Sequence, residues 1–239
     1  MNVIKRVAEL INYCKDNGIK ITQRIDEIAS LFASIVAIKA ESYLEIGSEY
    51  GGSLYVLAHA LPVGSKICVV DYPLNAVKEE CLMGVVNTLR EEGYKILLIS
   101  GDSHKECIVD SVKVLFDKPF DVAFIDGDHS YMGVKQDYKN YNTFVKDGGL
   151  IAFHNVSIPA DFEKSDCDDP EDSSSIQKRS DVEVGKLWKE LIQKYKSLEI
   201  DAGLKHRFGV GIIQNNIKDS KEHTIIGEFN GCDFNTYWK

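Results

Sequence analysis

The chain has 239 residues, a length that suits one globular α/β domain. Of these residues 44% are hydrophobic and 27% charged, a composition typical of globular proteins. Its formal net charge is −9, and positions 161–172 alone carry seven acids and one lysine. We therefore expect no basic groove for nucleic acid, and, because no apolar run reaches 18 residues, no membrane span.

The cysteines and the N-terminal residues favour a reducing, cytoplasmic location. None of the six cysteines forms a Cys-x-x-Cys pair, and the first residues lack the apolar core of a signal peptide. We expect a single domain over 1–239, with N-terminal helices over 1–40, a core over 41–213 and a tail over 214–239 whose role the sequence leaves open. The oligomeric state also stays open, a homodimer included.

The first two predicted elements are helices, because apolar residues recur every three or four positions. The apolar face of the first helix consists of Val3, Ile4, Val7, Leu10, Ile11 and Cys14. The apolar face of the second helix consists of Ile21, Ile25, Ile28, Leu31, Phe32, Ile35 and Val36.

Strand and helix patterns alternate after these helices. Strands are predicted over 43–46, 66–71, 95–100, 121–126, 149–154, about 197–201 and 208–213. Helices are predicted over 53–61, 76–92, 103–116, 130–145 and about 184–195. This alternation is typical of a doubly wound α/β fold, in which helices cover both faces of a mostly parallel sheet.

A polar segment over 156–181 follows the fifth predicted strand and contains the acidic run. A solvated loop is one interpretation of this composition. Its position at the carboxyl end of a strand also suits a lid over a bound ligand. Both interpretations stay open.

A glycine-containing loop follows the first predicted strand, where residues 43–53 read Tyr-Leu-Glu-Ile-Gly-Ser-Glu-Tyr-Gly-Gly-Ser. Gly47 suits a tight turn, and Gly51 and Gly52 suit close backbone approach, because glycine has no Cβ. The Gly-x-Gly-x-x-Gly spacing of dinucleotide-binding loops is absent. Asp71 ends the second strand, 24 positions after Gly47, where a carboxylate can accept two hydrogen bonds from a ribose diol.

A second polar cluster follows the fourth and fifth predicted strands. Residues 120–131 read Phe-Asp-Val-Ala-Phe-Ile-Asp-Gly-Asp-His-Ser-Tyr, and residues 148–155 read Gly-Gly-Leu-Ile-Ala-Phe-His-Asn. Ligands of open parallel sheets bind outside the carboxyl ends of the strands. We therefore expect the chemistry at these polar residues.

Glu45, the glycine loop and Asp71 together resemble the cofactor-binding region of class I S-adenosylmethionine (SAM)-dependent methyltransferases. The resemblance covers roughly residues 20–213 and implies a seven-stranded sheet of order 3-2-1-4-5-7-6. It implies cofactor contacts from Glu45, Gly47, Ser48, Gly51, Gly52, Asp71, Gly101, Asp102, Ser103 and Asp126. For Asp102 and Ser103, capping of the helix that follows is an alternative, and both roles are compatible.

The stretch from Asp126 to His129, together with His154 and Asn155, resembles the O-methyltransferases of small molecules and sugars that share an Asp-Gly-x-His signature. The resemblance implies methylation of a small-molecule or sugar hydroxyl, with His129 as the base and Asp126 as a second catalytic residue. It also implies Asp126, His154 and Asn155 as ligands of a divalent metal.

This chain departs from the metal-dependent pattern at the last two positions. Metal-dependent relatives carry two acids or Asp-Asn where His154 and Asn155 stand, and magnesium prefers oxygen ligands. A histidine hydrogen-bonded to Asp126 is the alternative interpretation of His154. For His129 the alternative is a turn residue that precedes a helix.

Two other classes of protein compete with the methyltransferase interpretation. Tyr131 and Lys135 match the Tyr-x-x-x-Lys spacing of short-chain dehydrogenases, which use NAD(P). Their glycine loop, however, ends in a glycine where this chain has Ser53, and it lies nearer the N-terminus. A methyltransferase fold that binds a ligand without turnover is the other alternative.

Overall fold

The computed structural model describes residues 2–72, 75–157, 182–200, 208–217, 222–226 and 234–238. The acidic run, and nearly all of the segment interpreted as a loop or lid, fall outside these ranges. Within them, no helix is long and apolar enough to cross a membrane.

The elements alternate as the sequence predicts. The helices are α1 (Val3–Asp16), α2 (Ile25–Ala37), α3 (Gly52–Ala58), α4 (Ala76–Glu91), α5 (Glu106–Leu115), α6 (Tyr131–Tyr141), α7 (Val184–Leu191) and α8 (Phe234–Tyr237). The strands are β1 (Ser42–Ile46), β2 (Lys66–Asp71), β3 (Lys95–Ser100), β4 (Phe120–Ile125), β5 (Val145–His154), β6 (Ser197–Ile200), β7 (Val210–Gln214) and β8 (His223–Ile226).

All eight strands belong to one sheet, in the order β3-β2-β1-β4-β5-β7-β6-β8. Strands β1 to β5 pair in parallel, and β7 runs antiparallel to both β5 and β6. The predicted order of seven strands is confirmed. The eighth strand, β8, lies in the tail that the sequence left unassigned and pairs in parallel with β6.

Two apolar clusters cover the two faces of the sheet. Helices α1 to α4 pack on one face against strand residues such as Tyr43 and Phe124, and helices α5 to α7 pack on the other against residues such as Leu44 and Phe153. Neighbouring strand residues point to opposite faces, so each buried strand supplies both clusters. The doubly wound arrangement predicted from the sequence is confirmed.

Several predicted boundaries are wrong. Helices α3, α6 and α7 end at Ala58, Tyr141 and Leu191 instead of positions 61, 145 and about 195. Helix α2 begins at Ile25, which leaves Ile21 in the preceding connection, and α5 begins at Glu106 instead of position 103. Strand β5 begins at Val145, four residues before the predicted start at position 149. The strand continues through Gly148, which has φ +75°, and past an irregular register between β4 and β5. A glycine pair in sequence indicates a loop, and here it lies within a strand.

Candidate active site at the carboxyl ends of the strands

The glycine loop between β1 and α3 is shaped by contacts within the chain. Gly47 has φ +83°, and a Cβ there would lie 2.4 Å from the carbonyl oxygen of Asp126. At Gly52 a Cβ would lie 2.3 Å from the carbonyl oxygen of Lys20, and at Gly51 it would meet Val85 at 3.0 Å. The close backbone approach predicted at Gly51 and Gly52 is therefore made, on the Cβ side, to neighbouring protein groups, and cofactor contact by these glycines stays a prediction.

Glu45 holds the loop from below. Its fully buried carboxylate accepts hydrogen bonds from the hydroxyls of Tyr43 (2.7 Å), Ser48 (2.7 Å) and Ser53 (2.6 Å). Burial raises the pKa of Glu45 to about 7, although the three hydroxyls favour the charged form. The arrangement explains why an acid precedes the glycine turn: it joins the strand, the loop and the start of α3.

Asp71 lies at the end of β2, beside the same loop. Its Oδ2 accepts the backbone N–H groups of Ser48 (2.6 Å) and Glu49 (2.9 Å). Burial raises the pKa of Asp71, and these two hydrogen bonds partly offset the rise. Glu49 in turn pairs with the buried Nζ of Lys78 at 2.5 Å. Asp71 therefore fixes the loop with Oδ2, and a ribose contact by Oδ1 stays a prediction.

The segment after β3 differs from the sequence prediction. Neither Asp102 nor Ser103 caps α5; Asp102 accepts the backbone N–H of His104 (2.9 Å), and Ser103 donates to Asp137 Oδ1 (2.6 Å). Asp137 is fully buried on α6, and burial raises its pKa to about 6. The Ser103 hydroxyl is held there because a buried carboxylate needs a donor. Gly101 joins this loop to β2 through its N–H and the Asp71 carbonyl (2.8 Å).

Asp126 is the centre of the second cluster. Its Oδ1 accepts from His129 Nε2 (3.0 Å) and from His154 Nδ1 (3.1 Å), and its Oδ2 accepts from Gln23 Nε2 (2.8 Å). Burial by itself would raise the pKa of Asp126, but the charge of His154 and the hydrogen bonds from both histidines hold it well below its usual range. The carboxylate is ionised at neutral pH.

His129 lies in the turn before α6, so the turn interpretation of this residue is correct, and it also pairs with Asp126. Because an ionised carboxylate only accepts, Nε2 carries the proton of the neutral ring, and Nδ1 carries the lone pair. Its backbone carbonyl accepts from Glu183 N (2.7 Å), and its side chain is 27% exposed. The hydrogen bond to Asp126 thus orients the ring, and the exposed part of the ring is accessible to solvent.

His154 is buried between two carboxylates. Nδ1 faces Asp126, and Nε2 lies 3.5 Å from Glu27 Oε2, the limit of a hydrogen bond. Burial disfavours the charged ring, but Asp126 and Glu27 more than compensate and raise the pKa of His154 to about 10. Glu27 also accepts the N–H of Gly209 (2.8 Å). The prediction that His154 bonds to Asp126 is confirmed.

The predicted metal site does not fit these contacts. His154 Nδ1 hydrogen-bonds to Asp126, and Nε2, which makes no hydrogen bond among the described residues, lies 3.5 Å from Glu27 Oε2. An imidazole and an amide are also poor ligands for magnesium. Asn155 follows with φ +64°, and its buried side-chain oxygen has no hydrogen-bond partner in the described chain. Across the residues that the structure describes, no group of three or more His, Cys, Asp or Glu is arranged to hold a metal. The structure thus gives no support to metal ligation by Asp126, His154 and Asn155; Asp126 and His154 are instead hydrogen-bonded to each other.

Three members of the site were missed by sequence reasoning: Gln23, Glu27 and Asp137. Glu27 lies three residues after Arg24, whose backbone N–H it accepts at 3.2 Å, on the buried and mostly apolar side of α2. An acid among buried apolar positions was the signal that could have identified it, since an unpaired buried acid is costly. Gln23 lies in an irregular connection and carries no comparable signal.

The Tyr131 and Lys135 pair has a different setting from the one a dehydrogenase needs. Lys135 Nζ contacts both the Tyr131 hydroxyl and the carboxylate of Glu190 on α7, and it lies 4.6 Å from the centre of the Tyr131 ring. The three side chains form a partly exposed ion-paired cluster that joins α6 to α7. Their helical spacing is explained by this packing.

Residues 44–156 match the family model of a methyltransferase domain. The matched segment contains Glu45, Asp71, Asp126, His129 and His154. Gln23 and Glu27 precede it. The connection before α2 and α2 itself therefore add one residue each to those inside the matched segment.

The curated proteins include one relative, uncharacterized protein R132 of Acanthamoeba polyphaga mimivirus. It is 32% identical over 112 residues, which are 47% of this chain and 50% of that protein. The match thus spans about half the length of the curated relative.

Two solved structures share nearly the whole fold. An O-methyltransferase from Bacillus cereus in complex with SAH has a TM-score of 0.60 at 15% identity, over 88% of this chain and 90% of that one. The O-methyltransferase TomG from Streptomyces achromogenes, involved in tomaymycin synthesis and solved with SAM, has a TM-score of 0.60 at 15% identity, over 90% of both chains. The chain has the α/β methyltransferase fold, and these comparisons support neither the dehydrogenase alternative nor a fold without turnover.

Proposed function

We propose that this chain is a SAM-dependent methyltransferase that methylates a hydroxyl of a small molecule or sugar. One observation carries the proposal: the glycine loop and the Asp126–His129 pair adjoin at Gly47, where an added Cβ would overlap the Asp126 backbone. A cofactor on the loop and an acceptor on His129 would therefore lie side by side. The SAH and SAM in the two solved structures support the choice of cofactor.

The residues around the loop suit the parts of SAM. Asp71 offers the ribose diol a carboxylate oxygen, while its other oxygen keeps the Ser48 and Glu49 amides in place. Charge-assisted hydrogen bonds of this kind are about twice as strong as neutral ones. Glu45 acts indirectly, because its hydrogen bonds with three hydroxyls fix the loop that the methionine part of SAM would contact.

The chemistry requires one proton acceptor and good alignment. The acceptor oxygen forms a bond to the methyl carbon while the bond from carbon to the sulfonium sulfur breaks, and the electron pair stays on sulfur as a neutral thioether. His129 Nδ1 takes the hydroxyl proton, and Asp126 stabilises the resulting imidazolium through Nε2. The protein's remaining task is to hold oxygen, methyl and sulfur in line.

The test begins with calorimetric titration of the full chain with SAM, and with NADH as the control ligand. The chain is then incubated with methyl-labelled SAM and a panel of sugars, phenols, amines and nucleic acids, and the products are identified by mass spectrometry. We expect SAM to bind, NADH to give no heat, and the label to appear on an oxygen.

Two results would contradict the proposal. Failure of SAM to bind removes the cofactor assignment. Label on nitrogen or on nucleic acid, without any O-methylated product, removes the acceptor class while leaving the cofactor assignment intact.

A further inference from the structure

Three buried ionisable side chains from three elements lie in a row behind His129. Glu27 belongs to α2, His154 ends β5, and Asp126 follows β4; all three side chains are less than one-tenth exposed. The two outer carboxylates of the row accept further hydrogen bonds. Glu27 accepts backbone N–H groups, and Asp126 accepts from Gln23 and His129.

The position of His154 between two buried carboxylates favours its charged form. Asp126 Oδ1 lies 3.1 Å from Nδ1 and Glu27 Oε2 lies 3.5 Å from Nε2. A neutral imidazole has one N–H, so only the imidazolium presents a proton to both carboxylates. Two buried carboxylates without it would leave two uncompensated charges next to each other, which is strongly unfavourable.

We propose that His154 is a positioning residue whose imidazolium takes the place of a divalent cation at this site, so that the chain works without a metal. It offsets part of the negative charge of Glu27 and Asp126 and holds Asp126 Oδ1 at the distance from which it orients His129. The proposal rests on the proposed function for its catalytic consequence. Its electrostatic part does not depend on methyl transfer.

A metal would compete with His154 for the same carboxylate. A cation at Asp126 would need the lone pairs that His154 and His129 now occupy on Oδ1, and it would be repelled by the imidazolium at 3.1 Å. Hard divalent cations prefer sets of oxygen ligands. His154→Asp removes the cation and adds a carboxylate beside Asp126 and Asn155, and should therefore create the metal dependence that the wild type lacks.

The first experiment follows free Mn²⁺ by electron paramagnetic resonance as the protein is added. We expect the wild type to leave the free Mn²⁺ signal unchanged and His154→Asp to lower it stoichiometrically. Turnover of the wild type should be insensitive to EDTA, and turnover of His154→Asp should rise with added Mn²⁺. Stoichiometric uptake by the wild type that is lost in Asp126→Asn would overturn the proposal, as would EDTA-sensitive wild-type turnover restored by Mg²⁺.

The second experiment observes the charge of His154 in the wild-type protein and needs no cofactor; a substitution serves only to assign the signal. Nitrogen-15 NMR of histidine-labelled protein at pH 8 should show one ring with both nitrogens protonated, assigned to His154 by its loss in His154→Gln. A singly protonated His154 would refute the proposal. In kinetics, His154→Gln should lower kcat about 10–100-fold with little change in KM for SAM. If SAM fails to bind, the proposed function falls while both of these measurements still decide the charge of His154.

Discussion

Asp126 Oδ1 is shared between two histidines with different tasks. The bond to His154 holds the carboxylate in place, and the bond to His129 selects the tautomer with a free Nδ1. Only His129 is exposed enough to reach an acceptor, since 27% of its side chain is accessible against 7% for His154. The two residues are therefore separable by mutation.

His129→Ala should lower turnover about 10²–10⁴-fold, because a positioned base contributes that much. SAM affinity should stay nearly unchanged, since the base acts on the acceptor. His59→Gln is the histidine control: His59 bonds to Glu92 and to the Tyr55 carbonyl on α3 and should keep wild-type turnover. Steady-state kinetics with calorimetry measures both quantities, and wild-type turnover in His129→Ala would show that the base is wrongly assigned.

Asp71→Asn should weaken SAM binding by about 1.5–3 kcal/mol, because one charge-assisted acceptor of the ribose diol is lost. The amide oxygen can still accept the Ser48 and Glu49 N–H groups, so the loop should stay folded. Asp117→Asn, on an exposed residue before β4, is the matched control. Calorimetric titration gives the affinities, and an affinity in Asp71→Asn equal to that of the control would contradict the ribose assignment.

Sequence reasoning found the site residues that lie at strand ends and missed those that reach it from elsewhere. Glu45 and Asp71 lie near the carboxyl ends of β1 and β2, and Asp126 and His129 follow β4. The rule for parallel sheets places such residues at one edge. Gln23 contacts Asp126 across 103 positions, and nothing in its neighbours indicates that contact. Long-range pairing of single polar side chains has no periodicity from which it can be read.

At the level of elements, the connection between α1 and α2 packs directly on the start of α3. The Gly52 backbone approaches Lys20 and Ile21 so closely that any side chain at 52 must displace them. This contact sets the distance between the N-terminal helices and the sheet, and with it the reach of Gln23. Overpacking such a contact typically costs 1–3 kcal/mol.

Gly52→Ala should therefore lower the free energy of unfolding by about 1–3 kcal/mol and weaken turnover by moving Gln23. Gly84→Ala is the control, because an added Cβ on this glycine of α4 meets nothing within 4 Å. It should stabilise the fold by about 0.5–1 kcal/mol, the helix preference of alanine over glycine. Urea unfolding of both variants measures the difference in their free energies of unfolding. Equal stability would show that the contact of Gly52 with Lys20 and Ile21 accommodates an added methyl group without loss of stability.

The elements themselves were predictable wherever a long apolar pattern defined them. The weak cases were short or interrupted: β8 has four residues of which none is fully buried, and β5 contains two glycines. In both cases the pairing partner, rather than the local pattern, makes the strand.

On the scale of the whole molecule, the row from Glu27 to Asp126 links stability to pH. Its cationic member has a pKa raised from 6.5 to about 10. The folded state thus holds a proton that the unfolded chain releases near 6.5, so the contribution is full below that pH and falls as pH rises towards 10.

The free energy of unfolding should accordingly decrease between about pH 7 and 9. In His154→Gln, which has no proton to lose there, the decrease should be shallower. Urea denaturation at several pH values compares the slopes, and parallel slopes for the two proteins would contradict the charged state of His154.

The hydrogen bond between Gly209 and Glu27 spans 182 positions. During synthesis, α2 emerges early with its buried acid, and the amide that completes its coordination emerges only when β7 is about to begin. His154 comes between them in the order of synthesis. A growing chain can therefore form the glycine loop and its sheet partners well before the Glu27 carboxylate gains its last donor, and we expect the Glu27 end of the site to become rigid later than the glycine loop.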